Sequence, residues 1–188
     1  MSPVTHFFIG WVTANTADLN RRERTCVTLA GVIPDVDGVG IVAEVLTRSS
    51  AHPLTWWSDY HHVLGHNIGF CLLVTVMGFA LAKNRWTTAM LVFVSFHLHL
   101  LCDLIGARGP DGHQWPIPYL LPFSNAWQLI WSGQWLLNAW PNFLITGVAL
   151  ALTFFLAWKR GHSPLEIFSA RADRAFVQTL QRRFPRSR

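Results

Sequence analysis

The sequence predicts an all-α membrane protein: a polytopic helical bundle of about four to five hydrophobic helices plus an amphipathic C-terminal helix. Three observations carry that expectation. Hydrophobic residues fill 51% of the 188 positions and charged residues only 13%, where a soluble domain carries about 25% charge. Several apolar stretches are long enough for membrane helices. The basic residues are clustered. Of fifteen Lys and Arg, eight lie at or after Lys159, three are Arg21, Arg22 and Arg24, and two are Lys83 and Arg85. Basic clusters between apolar runs follow the positive-inside pattern. The net charge of +5 therefore reads as topology rather than as a nucleic-acid footprint, and no nucleic-acid partner is expected.

Each element follows in order. Val4 to Ala17 measures ~21 Å as a helix, short of a full span. It ends in the polar, basic loop Asp18 to Arg24, and the N-terminus lacks the basic region of a standard cleavable signal peptide. Thr25 to Leu46 is apolar but broken at Pro34-Asp35-Val36-Asp37-Gly38, because proline ends regular helix and glycine permits a tight turn. Asn67 to Ala82 and Trp86 to Ile105 are joined by Lys83-Asn84-Arg85, a turn expected in the cytoplasm. Ala139 to Trp158 carries no charge and is bracketed by Trp140 and Trp158 as interface anchors. Lys159 and Arg160 follow at once and place the C-terminus in the cytoplasm of a multi-pass membrane protein.

Between the last two spans, Ala107 to Asn138 forms a long outer loop. Trp127, Trp131 and Trp135 recur every four residues in it, which predicts an interfacial helix carrying them on one face. In the tail, Ser163-Pro164-Leu165-Glu166 has the form of a capping box. Leu165, Phe168, Ala172, Phe176 and Leu180 then mark an apolar stripe accompanied by Arg171, Arg174, Arg182 and Arg183, suited to the anionic cytoplasmic leaflet. Membrane lipid is thus an expected partner; the oligomeric state is open. Residues 1–160 read as a membrane-embedded metal-binding helical domain and 161–188 as a basic amphipathic cytoplasmic tail. Cys26, Cys71 and Cys102 sit singly in apolar runs and read as small buried hydrophobes.

Histidines and aspartates interrupt these runs, where ionisable groups are costly and usually mark a functional site. His99 and Asp103 are four apart, so a helix puts both on one face, within reach of one metal. His97 points elsewhere and is excluded from the ligands. Asp35 and Asp37 flank a valine at the helix break, which aims carboxylates inwards. In Tyr60-His61-His62-Val63-Leu64-Gly65-His66, spacing allows either His62 with His66 on a continuous helix or His61 with His66 if the helix starts within the stretch. His6 gains weight from its company. With the basic clusters inside, all of these candidates gather towards the non-cytoplasmic side.

The ordered set Thr5-His6, Gly31-Val32-Ile33-Pro34-Asp35-Val36-Asp37, His61 with His66, His99-Leu100-Leu101-Cys102-Asp103 and Pro122-Phe123 resembles the YdjM-like, LexA-regulated inner-membrane family of predicted metal-dependent hydrolases, over roughly residues 2 to 125. The resemblance implies His61 and His66 as the ligand pair of their stretch. The family carries Arg after the first histidine and Thr-His-Ser at the second; here those places hold His62, Gly65 and Asn67. The family is in turn similar to zinc-dependent phospholipases C and related nucleases, which implies phosphate esters as substrates.

Seven candidate ligands result: His6, Asp35, Asp37, His61, His66, His99 and Asp103. One zinc takes about three or four protein ligands, so seven suggest two cations, zinc or alternatively manganese, with a bridging aspartate. The expected activity is metal-dependent phosphoester hydrolysis, lipid-derived substrates included, near the outer membrane face. Asp35 or Asp37 is the candidate general base, and His62 and His113 are candidates for leaving-group protonation or phosphate contact. Two rival expectations are a metal-ion or proton transporter, which needs ionisable groups through the whole bilayer, and a non-catalytic scaffold recruiting partners by its basic tail.

Overall fold

Proline and capping side chains fix where the helices of this computed structural model begin. It describes residues 1–110 and 112–185, and those residues contain helices, turns and two isolated β-bridges but no strand. Helix α1 (Pro3–Ala14) starts with proline in its first turn and with Ser2 Oγ accepting the Thr5 N–H. Helix α2 (Arg21–Ala30) opens on a closed capping box of Asn20 and Glu23. A 3-10 helix (Ile33–Val39) follows and leads into α3 (Gly40–Thr47), bent by 54° from α2. Helix α4 (Trp56–Tyr60) is short; α5 (Ile68–Leu81) begins with Asn67 Oδ1 accepting the Phe70 N–H at 2.9 Å. Helices α6 (Arg85–Gly106) and α7 (Trp140–Arg160) are the long ones. Gly161 closes α7 at φ 79°, a left-handed conformation that glycine adopts without penalty. A 3-10 turn (Pro164–Ile167) and α8 (Ala170–Arg183) complete the chain.

Of the four to five spans expected, two or three are supported among the described residues. Helices α6 and α7 are long and apolar enough to cross a membrane, and the bent pair Arg21–Ala30 with Ile33–Thr47 makes a third if taken as one broken span. Helix α5 is apolar but has 14 residues, about 21 Å against a hydrocarbon core of about 30 Å. Helix α1 ends at Ala14, three residues before the apolar segment does.

Helix α1 packs on α2, α6 and α7, and α6 also receives α2 and α5. Helices α1 and α2 approach closely at Gly10, where an added Cβ would lie 2.7 Å from the Thr28 carbonyl oxygen. Ala14, Leu19, Val27, Ala30 and Val92 form one core; Cys71, Phe96 and Leu100, with Ile33, Ile68 and Tyr119 against them, form a second nearer the 3-10 helix.

The basic clusters converge at one end. Buried Glu23, at the start of α2, accepts the N–H groups of Lys83 and Asn84 at 2.9 and 2.7 Å. Arg24 grips Glu166 with Nε and Nη2 at 2.6 and 2.8 Å. The tail's capping box therefore does not close: Ser163 caps Leu165, but Glu166 turns to Arg24, and the Ser163 N–H and hydroxyl donate to Asp173. Helix α8 instead takes Ser169 as its N-cap, and buries Val177 while Phe176 meets Phe154 of α7 edge-on.

At the opposite end, the described part of residues 107–139 holds no helix, so the tryptophans do not share a helical face. Ile117 and Leu129 exchange backbone hydrogen bonds as a bridge, and the Trp135 N–H donates to the Ile105 carbonyl. Asn142 Nδ2 ties Gly106 and Leu137, and its Oδ1 accepts the Trp135 indole N–H at 2.7 Å. Pairing to the bundle rim, with Pro116, Pro118 and Pro122 in the loop, outweighs the four-residue period.

Candidate metal centre

Helix α6 carries the site on one inward face. His99 Nε2 lies 3.1 Å from Asp103 Oδ2, as i, i+4 spacing requires. Helix α1 adds His6, with Nε2 3.1 Å from Asp103 Oδ1. The 3-10 helix supplies Asp35, whose Oδ1 is 3.7 Å from His99 Nε2 and 3.9 Å from His66 Nε2. The loop before α5 supplies His66, with Nε2 3.1 Å from His99 Nε2 and 3.4 Å from Asp103 Oδ2. Two groups of ligand atoms, each within 4.8 Å of one another, result: His6, Asp35, His99 and Asp103, and His62, His66 and Asp103. Asp103 belongs to both. Its Oδ1 faces His6 and the Met1 ammonium, and its Oδ2 faces His66 and His99. All but the half-buried Asp35 are buried.

The proton positions follow from the partners. His99 Nδ1 lies 2.9 Å from the Gly31 carbonyl oxygen, which only accepts, so Nδ1 carries the proton. His66 Nδ1 lies 3.2 Å from Asp37 Oδ2, so it too is the donor. If both rings are neutral, they present bare Nε2 lone pairs to each other at 3.1 Å, with Asp103 and Asp35 carboxylate oxygens beside them. Lone pairs facing lone pairs in a buried space demand a positive charge between them: a proton or a metal ion. Asp35 Oδ2, His6 Nδ1 and His62 Nδ1 are, in addition, buried polar atoms without a hydrogen-bond partner. The donor set, imidazole and carboxylate, fits a divalent metal ion.

Electrostatics in the loop agree. Burial opposes a charge on His66, but its hydrogen bonds to Asp103 and Asp37 outweigh that and push the imidazole up to about 9. His62 goes the other way: burial, and His66 beside it, hold it well below its ordinary value against the pull of Asp103 and Asp37.

Asp37 sits one layer out. It accepts from His61 Nδ1 at 3.0 Å, the Gly65 N–H at 2.9 Å and His66 Nδ1. A carboxylate behind a ligating histidine fixes its tautomer and orientation. Gly65 lets the loop approach that closely, since a Cβ there would fall 2.1 Å from the Pro34 carbonyl oxygen. His61 stacks on Trp57 at 3.8 Å between ring centroids and lies outside both groups.

No helix runs through His61 to His66: α4 ends at Tyr60, and His62 turns the chain at φ 65°. Stacking at 4.3 Å between centroids, not helical spacing, brings His62 onto His66. His113 lies in the outer loop, edge-on to Trp115 at 5.0 Å, outside both groups, and Trp115 in turn contacts His61 and His62. His97 points away as expected, held by the Phe93 carbonyl and the Tyr119 hydroxyl.

Two supporting residues escaped the sequence reading. Gln134, buried in the outer loop, donates to the Asp103 carbonyl at 2.8 Å. Asn142 pins the end of α6 from within an apolar span, where a lone amide was the available signal. No curated protein and no solved structure matches the chain. The family model described as YdjM inner membrane protein matches residues 1–170, so the chain, with its cluster of buried histidines and aspartates among apolar helices, belongs to the YdjM inner membrane protein family.

Proposed function

We propose that the protein is a membrane-bound metal-dependent hydrolase of phosphoesters, working at the non-cytoplasmic end of its bundle. The observation that carries this reading is the convergence of His66 Nε2, His99 Nε2 and Asp103 Oδ2, each turned inwards by a separate hydrogen bond or helical turn. One cation would take His6, Asp35, His99 and Asp103, and a second His62, His66 and Asp103, with Asp103 between them. Such a pair supplies Lewis acidity, which makes water a nucleophile at neutral pH and offsets charge on a phosphoryl group. The protein's own part is orientation. Gly31 and Asp37 fix the two imidazoles, and buried neighbours exclude bulk water. Asp35, the most accessible of these carboxylates, has Oδ2 free to accept a proton and serves as general base.

A transporter would need ionisable groups along the whole span. Between Arg85 and His99, the buried residues of α6 are Thr88, Ala89, Val92, Ser95 and Phe96, none of them ionisable. That favours a site at one end over a path through the bilayer.

Metal analysis of detergent-purified protein tests the reading. Wild type is expected to hold near-stoichiometric zinc or manganese and to hydrolyse a chromogenic phosphodiester. His99→Ala and Asp103→Asn are expected to lose both, with activity down by at least about 100-fold. A metal-free preparation with full activity would overturn the proposal.

A further inference from the structure

The 3-10 helix that brings Asp35 to the metal centre has a second face. Val36 and Val39 point out of it, 52% and 63% exposed, into a cleft of about 480 Å³ between this helix, α3 and α4. Val42, Ala43 and Leu46 form one wall, and Trp56, Tyr60 and Leu64 the other. Asp37 is the one charged residue among the lining residues, and its carboxylate is turned away towards His61 and His66. Helix α3 buries no residue at all, although it is apolar, and Leu46 is 79% exposed. Trp56 and Tyr60, the amphipathic side chains suited to a membrane interface, stand at the cleft.

A ligand in this cleft touches hydrocarbon along its length, and it meets Asp37, whose carboxylate is bonded to His61 and to His66 of the candidate metal centre. Only an amphipathic molecule satisfies both surroundings. We propose that the cleft holds an acyl chain of a phosphate-bearing membrane lipid, with its headgroup on the His61–His66 side of Asp37. This rests on the metal-centre reading for the headgroup and on the cleft alone for the chain. The substrate class is then a lipid phosphoester drawn sideways from the bilayer, rather than a soluble phosphate ester arriving from the aqueous phase.

The probe is a diacyl phosphatidic acid with a photoreactive diazirine at the end of one chain, added to metal-loaded protein in nanodiscs. Mass spectrometry is expected to find the label concentrated in residues 36–64. Ala43→Trp, which fills the cleft, and Val42→Asp, which places a carboxylate on its wall at a 55% exposed position, are each expected to lower that labelling about tenfold with metal content unchanged. Labelling of residues 36–64 that neither substitution reduces would overturn the proposal. Hydrolysis separates it from the reading it rests on. Preference for a long-chain over a short-chain phosphoester of the same headgroup, lost in Ala43→Trp through KM, supports the cleft. Equal turnover of both, unaffected by Ala43→Trp, sinks the cleft but leaves the hydrolase standing. Cleft-dependent labelling with no hydrolysis of any phosphoester sinks the hydrolase but leaves the lipid site standing.

Discussion

Asp37 and Asp35 differ by two residues and by role. Asp35 Oδ1 faces the two Nε2 atoms, whereas Asp37 spends both oxygens on His61, His66 and the Gly65 N–H. Asp37→Asn keeps the shape but weakens the acceptor behind His66. Metal affinity is expected to fall by about 10- to 100-fold, measured by competition with a chromophoric chelator, where Asp103→Asn leaves no measurable site. An equal loss in both variants would place Asp37 among the ligands. The sequence made His99 and Asp103 legible as a pair because one helical turn fixes their separation. It left His61 against His62 open, because the choice depends on a backbone reversal at His62 that no periodicity encodes.

At the scale of elements, close approach between the 3-10 helix and the His61–His66 loop sets the site. Gly65→Ala must push the loop off the Pro34 carbonyl. The expected cost is about 1–3 kcal/mol, in the range of overpacking, with metal lost before the fold is; thermal unfolding with metal analysis reads both. The tail is held by a second junction. Glu166→Gln leaves Arg24, with its side chain 12% exposed, without its charged partner, and is expected to cost about 3 kcal/mol. His162, whose Nε2 donates to Asn15 Oδ1, lies at the same junction. Burial, then Arg24 and Arg160, hold its imidazole below 6.5 against the opposing pull of Glu166 and Asp173. Protonation is therefore disfavoured in the docked state. Docking is at full strength above 6.5 and weakens as the pH falls below it. Spin-label distances between α7 and α8 are expected to lengthen on acidification in wild type and not in His162→Gln. Element positions were legible where an apolar run met a basic cluster: Lys83-Asn84-Arg85 between α5 and α6, and Lys159 with Arg160 at the end of α7. The outer loop was not, since the spacing of Trp127, Trp131 and Trp135 mimics a helix while their neighbours pair with the bundle rim.

Across the whole molecule, charge and chemistry occupy opposite ends. Glu23 gathers the Lys83–Asn84 turn, and Arg24 gathers the tail, at the far end of α6 from Asp103. Eighteen residues of helix separate Arg85 from Asp103, about 27 Å at the α-helical rise. We propose, from the positive-inside rule, that the C-terminus and the 83–85 turn face the cytoplasm and the histidine–aspartate cluster the other side. Cysteine-accessibility labelling at residue 84 and in the 124–128 turn is expected to give opposite sidedness; labelling of both from one side would refute this topology. By itself, the sequence determined the helical membrane class, the long spans and the chemical kind of site, because hydropathy, charge clusters and helical spacing act locally along the chain. Only the tertiary structure decided which imidazoles meet, that Asp103 is shared between two groups, and that Asp37 and His61 stand behind His66. Those outcomes depend on where chain segments some 30 to 100 residues apart cross, and burying lone pairs against one another has no local signature.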